Sequence, residues 1–196
     1  MTQIDFYYDF RSPFAYFATH RLQLLTDKGA EITWRPAYVS VLLNLQNGAE
    51  PWAERDDPLC PPKRAHFMAD IFRLIEFWKI PFNMPNPGIP ECNQAMAISA
   101  LLEEAGIDHG DYRDALFRSV WHEQKDGADP EVLRECLAAG DHDPTLIDQA
   151  KEKGVELLTQ NTIAAYERGI FGVPTFVIGE DLYFGADRME LMAARL

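Results

Sequence analysis

Cysteine is scarce in this 196-residue chain, and the three that occur, Cys60, Cys92 and Cys136, are odd in number and widely separated. Such a set predicts neither a disulfide framework nor a zinc site. The five histidines also lack ligand spacing such as His-x-x-x-His, so we expect no metal. Long apolar runs are missing as well, since no stretch approaches the roughly 18 apolar residues of a membrane-spanning helix.

Positive charge is in short supply, with 18 Lys and Arg against 31 Asp and Glu and a net charge of −13. Without a basic run the chain offers no footprint for phosphates, so nucleic acid is an unexpected partner. The first residues, 1–6, are neither basic nor strongly apolar, which argues against a signal peptide. We therefore expect a soluble, reduced protein in the cytoplasm, with one domain or one domain carrying an insertion.

The two ends of the chain are rich in strand-forming residues. Residues 3–8 and 31–38 read as strands, separated by a helix that begins at Ser12-Pro13 and ends near Gly29. This β-α-β order predicts two parallel strands joined by a right-handed crossover. Near the other end, residues 175–178 and 182–184 flank the turn 179–181 and predict a hairpin. Asp187 is expected to cap a last helix.

The middle of the chain has helical periodicity almost throughout. Residues 47–62 are loop-like because they contain glycine, paired acids and several prolines. The predicted helices that follow cover residues 63–79, 91–105, 111–122, 130–139 and 144–168.

Two short segments stand where thioredoxin-fold proteins carry their chemistry. Ser12-Pro13-Phe14-Ala15 lies at the first strand-to-helix turn, and Gly172-Val173-Pro174-Thr175 precedes the terminal hairpin. Together with the inserted helical block, this order resembles the DsbA-like branch of the thioredoxin fold. The resemblance implies a single α/β domain over 1–196, with a thioredoxin part at 1–50 and 165–196 and a helical insertion at 60–160.

A serine takes the place of the first cysteine that a redox site of this kind requires. Without either sulfur of a Cys-x-x-Cys pair, dithiol exchange is chemically unavailable at Ser12. A hydroxyl at a helix N-terminus can instead donate a hydrogen bond to an external thiolate, which the helix terminus also stabilises. The sequence thus favours a site for a borrowed thiol, for which glutathione is the natural candidate.

Several further motifs occur in an order that resembles the 2-hydroxychromene-2-carboxylate isomerases and their relatives, the kappa-class glutathione transferases. They lie at residues 8–16, 34–36, 62–64, 169–176 and 184–189. The resemblance implies a glutathione-dependent isomerase that converts 2-hydroxychromene-2-carboxylate, or a close analogue, to trans-o-hydroxybenzylidenepyruvate in aromatic catabolism. It also implies a homodimer, and a small aromatic carboxylate as the substrate that binds in addition to glutathione.

The resemblance implies roles for residues in both of these segments. Ser12 would hold the glutathione sulfur, and Val173, preceding a cis Pro174, would pair with the cysteinyl unit. Ala186, Asp187 and Arg188 match a glutamyl-binding segment, in which Ala186 replaces the usual glutamine.

For the second substrate, Lys63 matches a family lysine and Arg64 is its neighbour. The family's Gly-Asn in the loop after the second strand is reversed here as Asn47-Gly48, and Asn47 is the corresponding candidate.

Simpler interpretations remain open for these residues. Ser12-Pro13 has the same N-cap pattern as Asp129-Pro130 and Asp143-Pro144, and Lys63-Arg64 also fits a solvated helix start. At the level of function, the alternatives are a kappa-like transferase or peroxidase acting on another electrophile, and a non-catalytic DsbA-fold module that binds peptides or thiols.

Overall fold

The computed structural model describes residues 1–54 and 59–196, which form a four-stranded mixed sheet surrounded by helices. The sheet order is β2-β1-β3-β4, and the strands are β1 (Thr2–Tyr8), β2 (Ala30–Pro36), β3 (Thr175–Ile178) and β4 (Asp181–Phe184). Strand β1 pairs with β2 in parallel and with β3 in antiparallel orientation, and β3 forms a hairpin with β4. The predicted β-α-β opening and terminal hairpin are therefore confirmed.

Strand β1 is the centre of the core because both of its neighbours contribute aromatic side chains to it. Phe6 is fully buried, opposite Trp34 in β2 and Phe176 in β3, and it stacks on the Phe176 ring at 4.5 Å. The indole of Trp121 donates to the carbonyl of Phe10 at 2.7 Å. The helical block is thus bonded directly to the loop that follows β1.

The first crossover is not the single helix predicted to reach Gly29. Helix α1 (Pro13–Thr19) ends early, and a separate turn of helix, α2 (Gln23–Thr26), follows. Arg21 lies between them, donates to the carbonyl of Ala186 at 2.7 Å and stacks on Trp78 at 3.9 Å. These long-range contacts accompany the break and are invisible to local periodicity.

Strand β2 ends at Pro36, two residues earlier than predicted, and is followed by helix α3 (Val39–Gln46), which the sequence analysis did not anticipate. The side chain of Asn44 then binds the carbonyls of Pro51 and Ala53, each at 2.9 Å. Part of the loop predicted after α3, residues 55–58, lies outside the described residues.

The predicted helices of the middle block are confirmed. They are α4 (Pro61–Trp78), α5 (Asn93–Glu104), α6 (Gly110–Trp121), α7 (Pro130–Ala139), α8 (Leu146–Gln149) and α9 (Val155–Glu167), with a π-helical turn at Ala150–Gly154 joining the last two. Within the two described ranges, no helix has the length and apolar character needed to cross a membrane.

The last helix begins differently from the prediction that Asp187 caps it. A 3-10 turn (Ala186–Arg188) leads into α10 (Met189–Ala193), so Asp187 lies inside the turn and its side chain caps neither segment. Gly185 occupies the capping position with φ of +104°, a conformation that glycine adopts without strain. The left-handed glycine, and not the acid, therefore sets where the turn begins.

Gly154 offers a stability test of the helical block. A Cβ at this position would lie 2.9 Å from the carbonyl oxygen of Ala97 in α5. Gly154→Ala should therefore lower the free energy of unfolding by about 1–3 kcal/mol, although alanine has the better helix propensity. Urea denaturation measures the change.

Gly88→Ala is the matched control, because no atom lies within 4 Å of a Cβ there. Its stability should stay within about 0.5 kcal/mol of wild type. A Gly154→Ala protein as stable as this control would contradict the close packing of the π-helical turn on α5.

Candidate active site

Ser12 lies directly after the central strand, at the N-cap of α1. Its backbone is extended, with φ of −93° and ψ of 113°, and its side chain is largely buried. The Oγ atom accepts the N–H of Ala15 at 3.1 Å and donates to the carbonyl oxygen of Val173 at 3.4 Å. The structure thus brings together Ser12 and Val173, which belong to the two segments that the sequence analysis singles out.

The peptide bond between Val173 and Pro174 is cis, as predicted. The carbonyl of Pro174 accepts the N–H of Gly185 at 2.9 Å. This bond places the segment that begins at Ala186 beside the cis-proline loop, so the residues predicted to bind glutathione adjoin one another along the sheet edge.

Asp187 and Arg188 lie on the surface at the end of this segment. Both side chains are about half exposed, and they approach each other at 3.5 Å. Ala186 is buried, and its carbonyl is occupied by Arg21. The two charged side chains can therefore contact a ligand, whereas Ala186 offers no side-chain hydrogen bond in place of the glutamine it replaces.

The side chain of Asn47 makes a hydrogen bond at the end of helix α3 in this structure. It is the C-cap of α3, and its side-chain amide donates to the carbonyl of Leu43 at 2.8 Å. Gly48 follows with φ of +68°, the left-handed conformation in which helices commonly end. The reversed Asn-Gly order is explained by this helix ending.

Lys63 and Arg64 lie in the exposed first turn of α4. One turn later, Phe67 packs edge-on against Phe14 of α1 at 4.8 Å. Because residues four apart share a helix face, Lys63 lies on the side of α4 that approaches α1. Phe14 is only two residues beyond Ser12, so this face of α4 adjoins the candidate site.

Asp9 is a site residue that the sequence analysis missed. It is fully buried, and its two carboxylate oxygens accept the backbone N–H groups of Arg11 and Val39, each at 2.8 Å. Burial raises the pKa of Asp9 to about 6, although these hydrogen bonds and the charge of Arg11 oppose the rise. Its signal in the sequence is a single acid at the end of an apolar strand.

A second missed group surrounds the guanidinium of Arg11. Its Nη1 lies 2.8 Å from Ser40 Oγ, 3.4 Å from the hydroxyl of Tyr38 and 3.0 Å from the carboxylate of Glu91. The Tyr38 hydroxyl also donates to Glu91 at 2.5 Å, and burial raises the pKa of Tyr38. Tyr38 and Ser40 follow β2, so these groups lie at the same sheet edge as Ser12.

A half-open cavity of about 470 Å³ lies at the other end of α1. It is lined by Tyr16, Thr19, His20, Pro81, Asp114, Phe117, Arg118 and His122. Because Ser12 caps the N-terminus of α1 and Thr19 ends it, the cavity and the serine lie toward opposite ends of one helix about 10 Å long. The cavity is therefore separate from the candidate active site.

The buried acid gives a prediction about pH. Because the pKa of Asp9 is about 6 in the folded protein and near 4 when unfolded, the folded state binds the proton more tightly. The contribution of Asp9 to the unfolding free energy should therefore fall as pH rises from about 4 to about 6. Relative to Asp9→Asn, the free energy of unfolding of the wild type should fall by up to about 3 kcal/mol between pH 4 and pH 7.

Urea denaturation at a series of pH values measures this difference. Asp143→Asn is the control, because the Asp143 carboxylate is exposed and a backbone N–H from Thr145 lowers its pKa. Its difference from wild type should be flat above about pH 5. An equally flat profile for Asp9→Asn would contradict the raised pKa of Asp9.

Comparison with known proteins places this geometry in a family. A family model described as DSBA-like thioredoxin domain matches residues 3–196. A solved structure of 2-hydroxychromene-2-carboxylate isomerase shares the fold, with a TM-score of 0.77 and 23% identity over 98% of this chain and 93% of that chain. The predicted DsbA-like thioredoxin fold is confirmed.

Two curated relatives extend the comparison. A 2-hydroxychromene-2-carboxylate isomerase from Pseudomonas sp. (strain C18) is 29% identical over 96% of this chain and 87% of its own length. Glutathione S-transferase kappa 1 from Caenorhabditis elegans is 26% identical over 98% of this chain and 90% of its own length. The resemblance found in the sequence is confirmed, and relatives that are named as enzymes support an isomerase-like or transferase-like activity. The chain belongs to the family of DSBA-like thioredoxin domain proteins.

Proposed function

We propose that this protein is a glutathione-dependent isomerase acting on 2-hydroxychromene-2-carboxylate or a close analogue. The observation that carries the proposal is the pairing of the Ser12 hydroxyl, in place of a cysteine, with the carbonyl beside the cis Pro174. A relative named as this isomerase supports the substrate class, and one named as a glutathione transferase supports the thiol.

The residues at the sheet edge fit a thiol ligand by their donor chemistry. Ser12 Oγ uses one lone pair to accept the N–H of Ala15, and its proton makes only a long bond of 3.4 Å to Val173. That proton is thus available to a thiolate, and a hydrogen bond of this kind lowers a thiol pKa. Each unit of lowering corresponds to about 1.4 kcal/mol.

The remaining glutathione contacts belong to the backbone of Val173 and to the exposed pair Asp187 and Arg188. A peptide N–H of the ligand would compete with Ser12 for the Val173 carbonyl, which frees the hydroxyl to turn toward sulfur. The Asp187 carboxylate suits an ammonium group, and Arg188 suits a carboxylate. Glutathione would supply the thiolate that adds to the conjugated substrate and leaves again after bond rotation.

For the second substrate, the start of α4 supplies positive charge next to α1. Lys63 and Arg64 are exposed there, and they would attract an anionic substrate toward the site. Asn47, by contrast, would first have to release the carbonyl of Leu43. We further propose a cytoplasmic homodimer, as the resemblance implies.

The second candidate function is a kappa-like transferase or peroxidase. The kappa-class relative favours it, because the same serine and cis-proline geometry would serve another electrophile. The two reactions differ in stoichiometry, since an isomerase returns the thiol after every turnover and a transferase consumes it.

The first test is the absorbance change during isomerisation of 2-hydroxychromene-2-carboxylate, with and without glutathione. We expect turnover only when glutathione is present, with the thiol concentration unchanged at the end. Thiol consumption with a panel of electrophiles, without isomerisation, would favour the transferase. Saturable binding of an extended peptide without glutathione affinity would favour the non-catalytic module.

The proposed catalytic role of Ser12 can be separated experimentally from its role as a helix cap. Ser12→Ala should lower kcat about 100- to 1,000-fold, because a donor to the developing charge is lost. It should also cost about 1 kcal/mol of stability, because the cap of α1 is lost.

Asp129→Ala is the matched control, because Asp129 caps α7 before a proline in the same way and accepts Glu131 N–H at 2.8 Å. It should lose similar stability, measured by thermal unfolding, but keep full activity. If both variants turn over normally, Ser12 is a cap and the proposed mechanism is wrong.

A further inference from the structure

Arg11 and Ser12 direct their side chains to opposite sides of the central strand. Ser12 Oγ reaches Val173, which precedes β3, whereas the Arg11 guanidinium reaches Tyr38 and Ser40, which follow β2. In the sheet order β2-β1-β3, these neighbours flank β1. A ligand atom held at Ser12 therefore has the cis-proline loop on one side and a guanidinium on the other.

The guanidinium of Arg11 is held in place before any ligand arrives. The backbone N–H of Arg11 is bound by the buried Asp9, and Nη1 donates to Ser40 Oγ at 2.8 Å. Tyr38 is itself anchored, because its backbone N–H donates to Thr162 of α9 at 3.0 Å. The Arg11 side chain is 21% exposed, which leaves it reachable but largely desolvated.

The guanidinium of Arg11 already forms an ion pair with a carboxylate of the protein. Glu91, from the segment before α5, accepts both Arg11 Nη1 at 3.0 Å and the Tyr38 hydroxyl at 2.5 Å. Its own side chain is 64% exposed. Water screens the exposed carboxylate of Glu91 and weakens this ion pair, so another carboxylate can displace Glu91.

An apolar ring adjoins the same group. Trp52 stacks on Tyr38 with ring centroids 5.3 Å apart, and its indole N–H is held by Thr159 at 2.9 Å. The Trp52 side chain is partly exposed. The site therefore combines a fixed donor for a carboxylate with a flat apolar surface beside it, which suits a carboxylate carried on an aromatic body.

We propose that Arg11, Tyr38 and Ser40 bind the carboxylate of an aromatic acid that is the second substrate, and that Glu91 competes for this position. The inference deepens the proposed function by assigning substrate specificity to Arg11, and it rests on that function for the identity of the reaction. Lys63 and Arg64, exposed on α4, attract the acid from a distance, whereas Arg11 fixes its orientation.

Binding can be measured without turnover by using trans-2-hydroxycinnamate as the probe and its neutral amide as the comparison. Quenching of tryptophan fluorescence reports binding, and Trp52→Phe should abolish most of that signal. Arg11→Met should weaken binding of the acid at least 10-fold and leave the amide unchanged. Glu91→Gln should tighten binding of the acid about 3- to 10-fold, because the internal competitor is neutral.

Two further variants guard against trivial explanations. Arg134→Met removes an exposed arginine that pairs with Glu131 on α7, and it should change nothing. Arg11→Lys keeps the charge and should restore part of the affinity for the acid. If Arg11→Met weakens acid and amide equally, or Arg11→Lys restores nothing, the charge of Arg11 does not bind the carboxylate and the proposal is overturned.

Glutathione also carries carboxylates, so its binding is titrated separately by calorimetry. Arg11→Met should leave glutathione affinity unchanged, and a 10-fold loss would assign the subsite to glutathione and overturn the proposal. Turnover separates the two proposals: an inactive wild type that binds the acid through Arg11 refutes only the isomerase. An active wild type whose KM for the chromene is unaffected by Arg11→Met refutes only the role of Arg11.

Discussion

The buried carboxylate of Asp9 holds together the edge of the sheet on which the candidate site is built. One oxygen binds the backbone of Arg11 in the loop after β1, and the other binds the backbone of Val39 at the start of α3. Two backbone donors at 2.8 Å offset part of the cost of burying this carboxylate, and the remaining cost is the cause of its raised pKa. The direction in which Arg11 and Ser12 leave the strand depends on this bridge.

The Ser12 hydroxyl caps helix α1 and can also donate a hydrogen bond to a ligand, so the two interpretations of Ser12 are compatible. A hydroxyl has two acceptor sites and one proton. Capping Ala15 uses an acceptor site, whereas a thiolate would need the proton. The structural role therefore leaves the chemical role open, and only a comparison with a second capped helix, such as α7, separates them.

The sequence predicted those parts of the fold that local patterns determine. The strands, the hairpin and the helices from α4 to α9 follow periodicity and proline or glycine signals. The break before α2 and the existence of α3 were missed, because distant contacts of Arg21 and Asp9 accompany them. The mistaken cap at Asp187 came from a pattern that a left-handed Gly185 overrides.

Some residues of the candidate site were likewise predictable from local sequence patterns, and others were not. Ser12, Val173 and Pro174 were found because each belongs to a recognisable segment, and the structure brings Ser12 against Val173. The group around Arg11 has no such signal, since Tyr38 and Glu91 are distant in sequence and meet only through the sheet topology. Asn47 was placed by analogy with a loop, but in this chain it ends a helix.

The absence of sulfur at the first strand-to-helix turn has a consequence for resistance to oxidants. Cys92 and Cys136 are buried, and burial raises the pKa of both thiols, which keeps them in the unreactive protonated form. Peroxide or an alkylating reagent would therefore meet the exposed Cys60 first, at the N-cap of α4. The turn at Ser12 itself cannot be oxidised to a disulfide, and a thiol that reacts there has to be supplied by a ligand.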